Sequence, residues 1–313
     1  MTGPRTSDLG PRTSFRAGYA AIIGRPNAGK STLVNRLVGQ KLCIVSARPQ
    51  TTWHRILGIR TTAEAQILFL DTPGIHRSGA TFNQALVRAA LTAMADADVI
   101  LWLVDAADAE HPDDELILEE LRRRPPRAPV LLVLNKVDAV QKDSLLPLID
   151  RWRQAYPFAE IVPISATAGD NVGRLERLIV DRLPVSPPFY PPEELTDRPE
   201  RFFIAEILRE RAFHLLRQEL PYAVAAQVER VQQREGRELM DVEATLFVEK
   251  ESQKAIVIGS GGQMLKKIGT QARPEIEALL GMPVFLQLHV KVLEAWRKDP
   301  AALRRLGYLE DRT

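Results

Sequence analysis

The segment Gly24-Arg25-Pro26-Asn27-Ala28-Gly29-Lys30-Ser31 restricts what this chain can fold into more than any other feature. It separates a short apolar run at Tyr19–Ile23 from a stretch with helical spacing at Lys30–Val38. A strand that turns through glycines directly into a helix opens an α/β unit, in which each helix carries the chain back to start another parallel strand. Glycines let the loop fold back until the backbone N–H groups of Asn27, Ala28, Gly29, Lys30, Ser31 and Thr32 surround a phosphate, and the helix N-terminus adds partial positive charge. Lys30 would reach the β- and γ-phosphates of a nucleotide, and the Ser31 hydroxyl would ligate Mg²⁺.

Further apolar runs follow at Gln66–Leu70, Val99–Val104, Val130–Leu134 and Ile161–Ile164. Helical spacing lies between them at Asn83–Met94, Asp113–Arg123, Ser144–Tyr156 and, after the last run, Val172–Leu183. The alternation predicts a mainly parallel sheet covered by helices on both faces. It stops at Pro184–Pro192, where five prolines in nine residues exclude a continuing helix and favour an extended connector. The chain therefore divides into a tail at 1–17, an α/β domain at 18–184, a proline-rich linker at 185–196 and a second domain at 197–313. A length of 313 residues suits two cores.

Three shorter motifs follow predicted strands, at the edge where parallel sheets bind ligands. Asp71-Thr72-Pro73-Gly74 places a carboxylate beside the phosphates, where it can hold Mg²⁺ through water, and a small residue whose N–H can approach the γ-phosphate. By itself it is a common turn; its distance downstream of the phosphate loop gives it meaning. Asn135-Lys136-Val137-Asp138 selects the base: the Asp138 carboxylate can accept two hydrogen bonds from guanine that adenine cannot supply. Lys136 can lay its stem along the base plane, and Asn135 can tie this loop to the phosphate loop. Ser165-Ala166 can offer a backbone N–H to guanine O6. The four elements in this order point to GTP and GDP as ligands of a Ras-like G domain, with Lys30 and Gly74 in the catalytic set.

The second half reads as a helix at Arg201–Gln218, strands near Ala223–Arg230 and Glu243–Glu249, two helices around Gly259–Leu280, a strand at Val284–Val292 and a closing helix from about Leu293. That order suits an α+β KH-type RNA-binding domain. Gly259-Ser260-Gly261-Gly262 gives its GxxG loop, which lets a single-stranded backbone lie close, and Lys266 and Lys267 follow to meet phosphates.

Gln50-Thr51-Thr52, His54-Arg55-Ile56-Leu57-Gly58-Ile59, Thr196-Asp197-Arg198-Pro199-Glu200-Arg201-Phe202, Glu206-Ile207-Leu208-Arg209-Glu210 and Leu220-Pro221-Tyr222 resemble the Era family of bacterial GTPases. The resemblance covers everything after the N-terminal tail. It implies that Thr52, with Thr51 the alternative, meets Mg²⁺ and belongs to the catalytic set. It also implies that Asn27 helps hold K⁺ beside the β- and γ-phosphates. The implied partners are 16S ribosomal RNA near its 3′ end and the 30S subunit during its assembly, not DNA, with the protein a monomer. The tail has no apolar stretch of a secretory signal, so the cytoplasm is the default location, with peripheral association at the inner membrane face a further expectation. Trp53 stands where the family has Arg, and the segment His76–Asn83 is shorter than the family's.

Competing chemistries find no support. The five histidines lack ligand spacing, the single cysteine excludes a zinc site or an intrachain disulfide, and no GxSxG elbow occurs. Net charge is +2, with ten Lys/Arg against six Asp/Glu over 254–313, so bulk charge does not identify a nucleic-acid binder. Residues 1–17 read as a flexible tail, the alternative being a transit peptide. Two other readings share these residues: an RNA-binding scaffold that keeps GTP as a structural ligand, and a GTPase of transfer-RNA modification, whose relatives lack the GxxG-containing domain.

Overall fold

The computed structural model describes residues 15–45, 56–72, 74–75 and 92–307. Thr51, Thr52, Trp53 and most of the helix expected at Asn83–Met94 lie outside them. In the first half, strands β1 (Arg16–Ile23), β2 (Ile56–Thr61), β3 (Ala65–Asp71), β4 (Val99–Asp105), β5 (Val130–Asn135) and β6 (Glu160–Pro163) form one sheet in the order β2-β3-β1-β4-β5-β6. Only β2 is antiparallel to its neighbour.

Strict alternation along the central strands feeds two cores, because successive side chains leave opposite faces. Ala20, Ile22, Val99, Leu101 and Leu103 pack with helices α1 (Lys30–Val38) and α4 (Val172–Val180). Ala21, Ile23, Ile100, Trp102 and Val104 pack with α2 (Pro112–Arg123) and α3 (Lys142–Ala155). Trp102 and Trp152 meet edge to face at 5.1 Å in this second core. The order reverses at β1, so the C-terminal ends of β1, β3, β4 and β5 open one crevice, with Asp105 directly beside Asn135 in register.

Strand β1 begins at Arg16, two residues before the boundary read from sequence, because Arg16 bridges Val185 and Ser186 N–H donates to Phe15 O. The proline segment is therefore pinned along the sheet. Buried Gln66 completes the attachment, accepting from Phe189 and Tyr190 N–H and donating to Tyr190 O.

The second half runs α5 (Glu200–Leu215), β7 (Ala225–Gln233), β8 (Met240–Val248), α6 (Glu251–Ile258), α7 (Gln263–Leu280) and β9 (Val284–Val292). Strand β8 is central, antiparallel to β7 and parallel to β9. Ile204, Leu208, Val242, Leu246, Ile268 and Ile276 make its core. Two expectations change. The first of the paired helices ends before Gly259, and the closing helix α8 (Pro300–Arg305) starts at Pro300. Asp299 caps its Ala301 N–H, while Trp296 is buried against Ala225 and Phe247 ahead of it.

The halves touch through α5. Phe203 joins the core under α1, whereas Ile204 joins the core of the second module. Lys41 donates to Glu210 on α5 at 2.6 Å and to Glu275 on α7 at 2.9 Å. A cavity of about 240 Å³ lies at this junction, lined in part by Leu42, Cys43, Ile207 and Leu279. Among the described residues no helix is long and apolar enough to cross a membrane.

Candidate functional site

The phosphate loop takes its shape from φ values that side chains disfavour: 149° at Gly24, 63° at Asn27 and 97° at Gly29. A Cβ on Gly24 would stand 2.5 Å from Leu103 O, and one on Gly29 would stand 2.2 Å from Asn135 Nδ2. Helix α1 starts at Lys30 with no side-chain cap, leaving its first N–H groups toward the loop. The Lys30 ammonium folds inward, donating to Gly24 O at 3.0 Å and Arg25 O at 2.9 Å. Burial lowers its pKa to about 8, against the opposing pull of Asp71 and Asp114.

Asp71 ends β3 fully buried, and its Oδ2 accepts from Ser31 Oγ at 2.9 Å. Its Oδ1 has no partner at hydrogen-bonding geometry, with the buried Cys43 thiol nearby. Burial raises the Asp71 pKa, and burial first, then Asp71, raises that of Cys43. A hydroxyl and a carboxylate with one orphaned oxygen make a hard-oxygen donor set that suits Mg²⁺. Thr72 Oγ1 donates to Ile22 O at 2.7 Å and Ile75 N–H to Gly24 O at 3.2 Å, stitching this segment to the phosphate loop. Gly74 packs on that loop so closely that a Cβ would meet Pro26 N at 2.6 Å. Ile75 turns into the core beside Ile23 and Leu70.

Asn135 joins three segments. Its Nδ2 donates to Ala28 O at 2.8 Å, and its Oδ1 accepts from Ala166 N–H at 3.0 Å. Lys136 adopts φ 64° and leads into a 3₁₀ turn at Val137–Ala139 that leaves Asp138 exposed. Ser165 is buried, its Oγ accepting from Ala168 N–H at 3.0 Å.

Sequence reasoning missed the ions behind these loops. Arg25, inside the phosphate loop, is buried and bonds Asp114 at 3.0 Å and Asp108 at 2.9 Å. Burial raises the Asp114 carboxyl to about 7 even with Arg25 beside it. Lys136 Nζ donates to Asp105 at 2.6 Å, and Arg36 on α1 donates to Ala166 O at 3.0 Å. The strand-end position of Asp105 was the available signal.

The GxxG loop stands apart from this crevice. Gly259, Gly261 and Gly262 have φ 74°, 56° and 79°. A Cβ on Gly259 would meet Met264 Cβ at 2.8 Å, whereas Gly261 and Gly262 border open space. Ser260, Lys266, Lys267 and the apolar Ile256 are exposed around them.

A phosphate loop and a base-selecting loop at one sheet edge, joined to an α-β-β-α-α-β module with a GxxG turn, define a P-loop GTPase carrying an RNA-binding KH domain. The family models agree: 50S ribosome-binding GTPase over residues 19–136 and KH domain over 219–297. GTPase Era of Lacticaseibacillus paracasei is 48% identical over 95% of this chain and 98% of its own length. That of Geobacter metallireducens is 48% identical over 94% and 98%. The chain belongs to the GTPase Era family. Among solved structures, Era in complex with MgGDPNP and nucleotides 1506–1542 of 16S ribosomal RNA matches with TM-score 0.90 and 40% identity, over 95% of this chain and all of that one. A variant of Aquifex aeolicus Era bound to GDP·AlF4⁻ matches equally, with TM-score 0.90 and 40% identity over the same shares.

Proposed function

We propose that this GTPase binds 16S ribosomal RNA near its 3′ end through the GxxG face of its KH domain and acts in 30S subunit assembly in the cytoplasm. The observation that carries the reading is the pairing, in one chain, of a base-selecting loop tied by Asn135 to the phosphate loop with a GxxG turn open on its Gly261 side. The G domain runs from the start of β1 at Arg16 to residue 184, the linker covers 185–196 and the KH domain 197–313.

In the G domain the N–H groups of Asn27 to Thr32 cradle the phosphates. Lys30 exchanges its bonds to Gly24 O and Arg25 O for phosphate oxygens. Ser31, Asp71 and Thr52 would hold Mg²⁺, which would supply charge neutralisation at the phosphates. Gly74 brings its backbone against the same loop. With Ile75 in the core, the residue after Gly74 offers no side-chain group to orient water; Asn27 would instead help hold K⁺, which would supply positive charge at the phosphates. Asp138, Lys136 and the Ser165-Ala166 backbone select guanine. At the KH domain, Gly259 to Gly262 admit the RNA backbone and Lys266 and Lys267 neutralise phosphates.

The test is binding of an RNA fragment from the 3′ end of 16S ribosomal RNA to the full chain loaded with a non-hydrolysable GTP analogue, against Gly261→Asp. The substitution puts a carboxylate and a strained φ where the RNA backbone passes, so binding should be lost while circular dichroism stays unchanged. Unaltered RNA affinity at moderate salt would mean that the GxxG loop is only a turn.

A further inference from the structure

Asp105 closes β4, and its two carboxylate oxygens have separate tasks. Oδ1 accepts from Ala107 N–H at 3.0 Å and shapes the turn that follows. Oδ2 accepts from Lys136 Nζ at 2.6 Å and lies 3.8 Å from the Arg25 guanidinium. The side chains of Asp105 and Arg25 are 10% and 7% exposed, so water screens this contact little. Arg25 lies in the phosphate loop and Lys136 in the base-selecting loop, and the Asp105 carboxylate is common to both. Beneath it Asp105 and Asn135 are neighbours in register, so the carboxylate has a rigid base. Lys136 sits at φ 64°, a conformation costing about 1 kcal/mol or more for a side-chain residue, and needs outside contacts to hold it.

We infer that Asp105 is a positioning residue for the nucleotide site: through Lys136 it fixes the stem over which guanine lies, while its charge faces Arg25 of the phosphate loop, which Asp114 and Asp108 hold by hydrogen bonds. The inference rests on reading Asn135–Asp138 as the guanine site. An ammonium anchored at its tip confines the four-carbon stem to one path, so the base meets a preformed wall and no side-chain entropy is lost on binding. Without the anchor the stem swings into solvent and the αL residue beneath it loses a restraint.

The alternative, that Asp105 merely caps the turn at Ala107, is separable by substitution. In Asp105→Asn the amide oxygen can still cap Ala107, but the group facing Lys136 becomes an NH₂ donor. Release of a fluorescent GDP analogue is followed by stopped flow for the wild-type chain, Asp105→Asn, Lys136→Ala and the double variant. Asp105→Asn should release GDP about tenfold faster, the size of one charge-assisted hydrogen bond at a partly exposed lysine. Lys136→Ala should also release faster, and adding Asp105→Asn to it should change the rate less than twofold. Asp105→Glu, which keeps the charge but displaces the cap, should release within threefold of wild type and covers the case in which the Asn variant does not fold. Wild-type release from Asp105→Asn overturns the inference. So does a full tenfold effect in the Lys136→Ala background, or release from Asp105→Glu as fast as from the Asn variant. A wild-type chain that binds ADP as tightly as GDP would instead overturn the guanine-site reading.

Discussion

Gly29 and Asn135 occupy one space, and substituting either should expose the other. Gly29→Ala places a methyl group 2.2 Å from Asn135 Nδ2, a separation at which one of them must move. The phosphate loop cannot yield easily, so Asn135, which is 2% exposed, rotates away. Its bonds to Ala28 O at 2.8 Å and from Ala166 N–H at 3.0 Å then break together. Each buried group left without a partner costs about 1–2 kcal/mol in such a setting, giving roughly 2–4 kcal/mol for the pair. Holding alanine at φ 97° adds about 1–2 kcal/mol, so Gly29→Ala should destabilise the nucleotide-free protein by roughly 3–6 kcal/mol. Asn135→Ala should cost roughly 2–4 kcal/mol for the same two orphans. In its background the new methyl group meets empty space, and Gly29→Ala should cost only the backbone share, about 1–2 kcal/mol. The four proteins are compared by urea unfolding, following the fluorescence of Trp102 and Trp152 in the core beneath the site. Coupling of roughly 2–4 kcal/mol is expected; additivity within about 0.5 kcal/mol would refute the reasoning.

Burial lowers Lys30 from 10.5 to about 8, so between those values the unfolded chain holds a proton that the folded one lacks, and the stability of the nucleotide-free protein should rise with pH there. Bound phosphates would restore the ammonium. Calorimetry in buffers of different ionisation heat should show little proton uptake on GDP binding at pH 6.5 and uptake approaching one above pH 8; none at pH 9 would contradict the assignment. Arg209 gives two hydrogen bonds, at 2.8 and 2.7 Å, to buried Glu206 within α5. Arg209→Met should destabilise by about 3 kcal/mol, and adding Glu206→Leu should recover most of the loss, both read from thermal unfolding. Single-turnover GTP hydrolysis should run faster in potassium than in sodium at equal ionic strength, and Asn27→Ala should remove the difference; equal wild-type rates in both salts would leave Asn27 without that role.

What the sequence made legible is what local chemistry dictates. Helix α1 and strand β9 have the bounds that periodicity assigned, and β3, β4 and β5 extend one residue further at one or both ends. Strand β2 was not legible as a strand, because Gly58 interrupts its pattern. The glycine is needed there: a Cβ would stand 2.9 Å from Val38 on α1. The closing helix was placed too early because Leu293 to Lys298 contain good helix formers, yet burial of Trp296, donating to Ala223 O at 3.2 Å, holds them otherwise. The motif residues stood out by their places after predicted strands, and the structure brings Ser31 to Asp71 and Asn135 to Ala28 and Ala166. Arg25, Asp105 and Asp114 did not stand out, since their partners lie 31 to 89 positions away and only the sheet brings them together. Gln66 was hidden for the same reason, its partners in the proline segment lying 123 and 124 positions downstream.

Helix α5 has no side to spare. Phe203 faces the core under α1, Ile204 and Leu208 face the KH sheet, and the carboxylate of Glu210 is bonded by Lys41 from the far side of the junction. A protease cut in the proline segment would therefore not release two clean modules. The G domain fragment would keep an uncovered apolar scar where Phe203 had been, and a lysine stripped of both its carboxylates. The KH fragment would carry the matching surface at its first helix. Fragments with complementary scars should reassociate when mixed, so a nicked preparation of this protein would still migrate as one body on a sizing column.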